Sequence, residues 1–157
     1  MRIIVISDVH GRKREVEEIL YLHEKVQHIV FLGDGLRDLE DMEYIFPDKS
    51  FHKVAGNCDW LAQEKTVGLL ELGGKRIFYT HGHTLNVKYT LADFRRAARQ
   101  QQADIALYGH THQPYTEYDD GLYIMNPGAV TPSGDGKVCY GIIDIEPGGI
   151  ITIPAVL

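Results

Sequence analysis

Cysteine, cationic charge and long apolar runs are all scarce in this 157-residue sequence. Its two cysteines, Cys58 and Cys139, lie far apart and make no disulfide framework, a usage that suits a reducing cytosol. The opening stretch Met1-Arg2-Ile3-Ile4-Val5-Ile6 breaks off at Ser7-Asp8. That is too short for a signal-peptide core or a membrane span, so it reads as a first strand, and the expected location is cytoplasmic with no membrane partner. Lysine and arginine number 16 against 22 aspartates and glutamates, a net charge of -6. Such a surface argues against extended nucleic-acid binding, which relies on basic groups along the phosphates. No repeat, low-complexity tract or interdomain linker is present, so residues 1–157 read as one domain.

What the chain does contain is one pattern repeated along its length. A short apolar run leads each time into polar residues that bind metals. Ile3–Ser7 runs into Asp8-Val9-His10, and Ile29–Leu32 into Gly33-Asp34. Phe51–Ala55 runs into Gly56-Asn57-Cys58-Asp59, and Arg76–Thr80 into His81-Gly82-His83. Asp104–Tyr108 leads into Gly109-His110-Thr111-His112. Open α/β sheets bind ligands beyond the carboxyl ends of their strands, so these ends are expected to share one site.

Between the first runs lie amphipathic helices. Val16, Ile19, Leu20 and His23 recur at helical spacing between Arg12 and Lys25, and Leu36, Leu39, Met42 and Ile45 do so before Pro47. That alternation opens a parallel βαβαβ unit. Gly73-Gly74 then marks a hairpin between Val67–Leu72 and Lys75–Tyr79. A third helix starts near Thr90, with Asp93 completing a capping-box pattern and Leu91, Phe94 and Ala98 as its buried stripe. From Tyr115 onward the chain is β, and Pro154 pushes the last strand towards an edge. So many strands predict a four-layer α/β/β/α sandwich of two mixed sheets flanked by helices.

Seven side chains are candidate metal ligands: Asp8, His10, Asp34, Asn57, His81, His110 and His112. This nitrogen and oxygen set lacks the thiolates of structural zinc and suits Mn²⁺, Fe, Zn²⁺, Ni²⁺ or Co²⁺ better than Ca²⁺. Seven is too many for one tetrahedral ion and right for two. Two divalent ions against two carboxylates and one hydroxide leave a site net positive by about one unit, able to attract phosphate.

In this order the five blocks resemble the signatures of the calcineurin-like metallophosphoesterases, over Ile3 to His112, and Asn126-Pro127-Gly128 is similar to the small bacterial and archaeal phosphodiesterase branch. The resemblance implies one ion on Asp8, His10 and His112, a second on Asn57, His81 and His110, and Asp34 bridging them. It implies Mn²⁺ first, with Ni²⁺, Zn²⁺, Fe, Co²⁺ or Mg²⁺ compatible. The implied reaction is hydrolysis of a small phosphodiester by a hydroxide bridging the ions, with Asn57 also holding phosphoryl oxygens. A phosphomonoesterase, or a scaffold of the retromer-subunit type, are the rival expectations, and a homodimer is an implied partner. Many relatives carry histidine where this chain has Cys58, paired with the acid at Asp59 as a catalytic dyad. With Cys58 there, the proton for the leaving group falls to His83 or water, and the catalytic set is Asp34, Asn57, His81, Asp59, Cys58 and His83.

Other features have plainer readings. Asp8 and Asp34 stand where helix N-caps would. Arg12-Lys13-Arg14 and Arg95, Arg96 and Arg99 read as guides for an anion or as solvated helix faces. His23, His28 and His52 are structural or surface residues. The nine tyrosines mark no stacking groove. Specificity is expected from short loops around Thr84–Lys88 and Gln113–Asp120.

Overall fold

In a computed structural model, which describes residues 1–132 and 134–157, the chain forms two five-stranded sheets stacked face to face. The first sheet takes its centre from β1 (Arg2–Ile6), β2 (His28–Phe31) and β3 (Ser50–Lys53), all parallel. The strands β9 (Cys139–Glu146) and β10 (Gly149–Val156) join antiparallel beyond β1, giving the order β10-β9-β1-β2-β3. The second sheet has the order β4-β5-β6-β8-β7. There β5 (Lys75–Thr80), β6 (Ile105–Tyr108) and β8 (Leu122–Asn126) run parallel, while β4 (Val67–Leu72) and β7 (Tyr115–Asp119) pair antiparallel at the edges.

Why β1 is apolar without alternation follows from its position. Successive side chains point to opposite faces, and both faces are covered. Ile4 and Ile6 pack with Val16, Ile19 and Leu20 of α1 (Lys13–Leu22) and with Leu39 and Met42 of α2 (Leu36–Ile45). Ile3 and Val5 face the other sheet, against Ile77, Tyr79, Ile105 and Leu107. On the far side of the second sheet, Phe94 and Ala98 of α3 (Ala92–Gln100) meet Phe78, Ala106 and Ile124. The layers are therefore helices, sheet, sheet, helix, as expected.

Local details depart from expectation. Ile45 is 40% exposed, because α2 ends there and Phe46 turns into the core instead. The capping box at Thr90 does not form. The helix starts one residue late, with Leu91 as N-cap, so Asp93 sits too early to reach back and pairs with Arg96. Neither Asp8 nor Asp34 caps a helix by its side chain. Pro154 does lie in the edge strand β10.

Candidate metal centre

The carboxyl ends of β1, β2, β3, β5 and β6 lie along one rim, and the turns that leave them are unusually tight. Asp8, His10, Asp34, His110 and His112 all have left-handed backbone, with φ of 54°, 44°, 60°, 68° and 60°. Side chains other than glycine rarely adopt this region, and where they do the fold is holding them in place. Glycines let the turns pack this closely. A Cβ on Gly33 (φ 97°) would lie 2.5 Å from the Gly56 nitrogen, and one on Gly56 would overlap the Asp34 carboxylate.

Those turns converge seven side chains. Asp8, His10 and His112 bring donor atoms within 4.8 Å of one another, and so do Asp34, His81 and His110. Between these groups stands Asp34, whose Oδ1 accepts a hydrogen bond from the Cys58 N–H at 2.7 Å. Its Oδ2 faces both sides, 3.4 Å from His81 Nε2 and 3.7 Å from His10 Nε2. The His81 ring is fixed from behind. Its Nδ1–H donates to the Leu32 carbonyl at 2.8 Å, which turns Nε2 towards the centre. That nitrogen lies 3.1 Å from Asn57 Oδ1 and 3.1 Å from His110 Nδ1.

Such a cluster fits metal ions better than it fits itself. Asn57 Oδ1 and His110 Nδ1 both crowd His81 Nε2 at 3.1 Å, three ligand-type atoms turned to one point. The buried Asp8 Oδ1 accepts no hydrogen bond, although His112 Nε2 is 3.0 Å away. Ligand bonds of about 2.1 Å put neighbouring donors about 3.0 Å apart in an octahedron and about 3.4 Å apart in a tetrahedron. His112–Asp8, His81–Asn57, His81–His110 and His81–Asp34 lie at 3.0–3.4 Å, and His10 stands wider, at 3.7–3.9 Å.

The electrostatics divide the donors: the carboxyls and His110 are held in ligand form, whereas Asp34 and Asp8 outweigh burial to raise His81, and the bond to Asp8 raises His112. Burial opposes the charge on Asp34, but His81 and the Cys58 N–H outweigh it and hold the carboxyl well below its usual range. Asp8 is lowered likewise, burial being outweighed by His112, His81 and Ser7. Burial and the neighbouring His81 push His110 down to about 4, so its imidazole is neutral. Cys58 moves the other way: burial, then Asp34, pushes its thiol up to about 11.

The remaining expected residues are placed less directly. Asp59 Oδ2 accepts from the Asp34 and Gly56 N–H groups, and Oδ1 from those of Gly35 and Leu36, at 2.7–2.9 Å. A carboxylate so occupied braces the start of α2 and the Asp34 turn, contrary to the catalytic part expected of it. His83 lies beside His81, ring centres 5.4 Å apart, with a buried Nδ1 that has no hydrogen-bond partner. Asn126 is buried under the centre and donates to the Gly109 carbonyl and Thr111 Oγ1, both at 3.0 Å. Sequence reasoning missed the Ser7 hydroxyl on Asp8 Oδ2 and the Leu32 carbonyl, and neither had a sequence signal beyond its place at a strand end. The cationic runs are spent on ion pairs: Lys13 with Asp41, Arg96 with Asp93, and Arg95 and Arg99 with Asp119. His23 bonds Tyr140, and His28 bonds His52, away from the centre.

Comparison with known proteins places the chain in a family. The probable metallophosphoesterase YsnB of Bacillus subtilis is 32% identical over 149 residues, covering 93% of this chain and 85% of that one. Phosphodiesterase YfcE of Escherichia coli is 29% identical over 178 residues, covering 98% and 92%. In fold, the chain is similar to wild-type Vps29 of Entamoeba histolytica, solved in complex with Zn²⁺, with a TM-score of 0.78 at 19% identity and 99% of each chain covered. Residues 1–148 match the calcineurin-like phosphoesterase superfamily domain; the chain belongs to that superfamily and is a metal-dependent hydrolase of phosphate esters.

Proposed function

We propose that this one domain hydrolyses a small phosphodiester at a two-ion centre, with Mn²⁺ as the working metal, in a reducing cytoplasm. The observation that carries the two-ion reading is Asp34 Oδ2, which faces the His10 side and the His81 side at once. On that reading Asp8, His10 and His112 hold one ion, Asn57, His81 and His110 the other, and Asp34 bridges. The ions supply a nucleophilic water at neutral pH and offset charge on the phosphoryl group. The chain's own contribution is placement. Leu32 fixes the His81 tautomer, Ser7 and the His110 N–H hold Asp8 Oδ2, and Asp59 locks the turn that presents Asp34.

Because Asp59 is spent on backbone groups, we assign it as a positioning residue rather than a proton donor. With Asp59 so engaged and the Cys58 thiol pushed up to about 11, neither offers an acid of imidazole strength to a leaving group, which favours esters whose alcohols depart readily. The diester preference draws support from the similarity to phosphodiesterase YfcE. Two free cysteines support the cytoplasm, and no described helix is long and apolar enough to cross a membrane.

The test is turnover of bis(para-nitrophenyl) phosphate and of para-nitrophenyl phosphate, with Mn²⁺ and after chelation. We expect metal-dependent hydrolysis with kcat/KM about tenfold or more in favour of the diester. A monoester preference would instead identify a phosphomonoesterase. No metal-dependent turnover of either would leave a scaffold.

A further inference from the structure

The sequence holds one tryptophan, and it stands beside the metal centre in the open. Trp60 is 84% exposed, and Leu61 next to it is fully exposed with φ 70°. Adjacent in the chain, the two form an exposed apolar pair at the mouth of a cleft, where a ligand could cover them. Trp60 lines a cleft of about 620 Å³ that also takes in Arg37 and Glu40 of α2, Lys53 at the end of β3, Glu64 and Cys58. The cleft opens onto the centre at Cys58, whose N–H holds Asp34 and whose sulfur lies within 4.8 Å of the donor atoms of His10 and Asp34.

Charge in the cleft narrows what it can hold. Lys53 is already paired, 2.7 Å from Glu43 and 4.0 Å from Glu64. That leaves Arg37 and Lys53 against Glu40, Glu43, Asp59 and Glu64, an excess of two negative charges. A second phosphate would be repelled here. An uncharged ring bearing N–H groups would not, since it stacks on an indole face and donates to the glutamates. The cleft is thus unlike the metal centre it joins: one end takes an anion, the other a neutral planar group.

We propose that this cleft, with Trp60 as its stacking face, is the subsite for a planar uncharged group esterified to the phosphate, of the nucleobase or aryl class. The proposal rests on the phosphodiesterase reading for its role in catalysis, but its binding test does not. It also moves specificity to a segment outside the Thr84–Lys88 and Gln113–Asp120 loops.

Because Trp60 is the sole tryptophan, intrinsic fluorescence reports this subsite alone. Mn²⁺-loaded protein is titrated with thymidine monophosphate and, separately, with methyl phosphate, and both affinities are measured by calorimetry. We expect thymidine monophosphate to change the Trp60 emission and to bind about tenfold more tightly than methyl phosphate. Trp60→Ala should remove most of that advantage and Trp60→Phe should retain part of it. Equal affinity of the two ligands, or an advantage that survives Trp60→Ala, would overturn the subsite. Binding as expected with no diester turnover would instead uphold the subsite and defeat the catalytic reading.

Discussion

The two sheets meet at one centre but bring different chemistry to it. The first contributes oxygen donors, Asp8, Asp34 and Asn57, together with His10. From the second come only imidazoles, His81, His110 and His112. The carboxylates are almost wholly buried and are surrounded by N–H and hydroxyl groups, whereas His110 and His112 are half exposed. A buried anion without partners costs several kcal/mol, so the first sheet must enclose its carboxylates in tight turns. A neutral imidazole carries no such penalty and needs only its tautomer and its angle set, as Leu32 does for His81. The half that holds charge is braced by backbone, and the half that holds lone pairs is braced by single hydrogen bonds.

That difference can be broken most sharply at Asp34. Asp34→Asn should reduce metal-dependent turnover by about 10³-fold or more, with metal content by atomic emission falling in parallel. In wild type, saturating Mn²⁺ should raise Tm by about 5–10 °C over the chelated protein, since about 2.7 kcal/mol follows from ligand at 100 times Kd. Asp34→Asn should flatten that response. A variant with normal metal content would show the bridging assignment to be wrong.

On stability, the oxygen half should be the more fragile. Asp59→Ala leaves four N–H groups without their acceptor, a loss of about 3 kcal/mol and thus about 6–12 °C in Tm. Asn126→Ala, behind the imidazole half, leaves one buried N–H, that of Gly128, without its acceptor and should cost less, about 1 kcal/mol and thus about 2–4 °C in Tm. Equal Tm losses in the two variants would erase the distinction between the halves.

The smallest effect belongs to the outer ion pairs. Arg2 and Asp144 face each other across β1 and β9 in a bidentate pair at 2.7–2.8 Å, and Arg2 holds the Asp144 carboxyl below its ordinary value of 3.8. With the folded value depressed, the stabilisation is complete above that ordinary value and is lost as pH falls through the folded one. Chemical denaturation should therefore show Arg2→Met less stable by at most about 1 kcal/mol at pH 7, with the gap closing as pH falls below the ordinary carboxylate range. A gap that widened in acid would contradict the pairing.

Much of the architecture was legible in sequence because burial writes itself as pattern. Unbroken runs such as Ile3–Ile6 and Ile105–Tyr108 mark strands covered on both faces, and the spacing in α1 and α2 marks helices covered on one. Helix ends were less legible, because Thr90-x-x-Asp93 satisfies a capping pattern whether or not the helix starts there. The seven converging side chains stood in recognisable order, whereas the task of Asp59 did not show. A carboxylate looks the same in sequence whether it meets a histidine or four backbone N–H groups.

By itself, then, the sequence determined the strand and helix alternation and which polar side chains stand at the strand ends, since both depend on side-chain type and local spacing. Tertiary structure alone decided that Asp34 Oδ2 faces both groups, that Asp59 is a brace, and that Trp60 borders the centre. Those depend on turns that bring residues far apart in the chain within a few ångströms, and no local pattern encodes a distance of that kind.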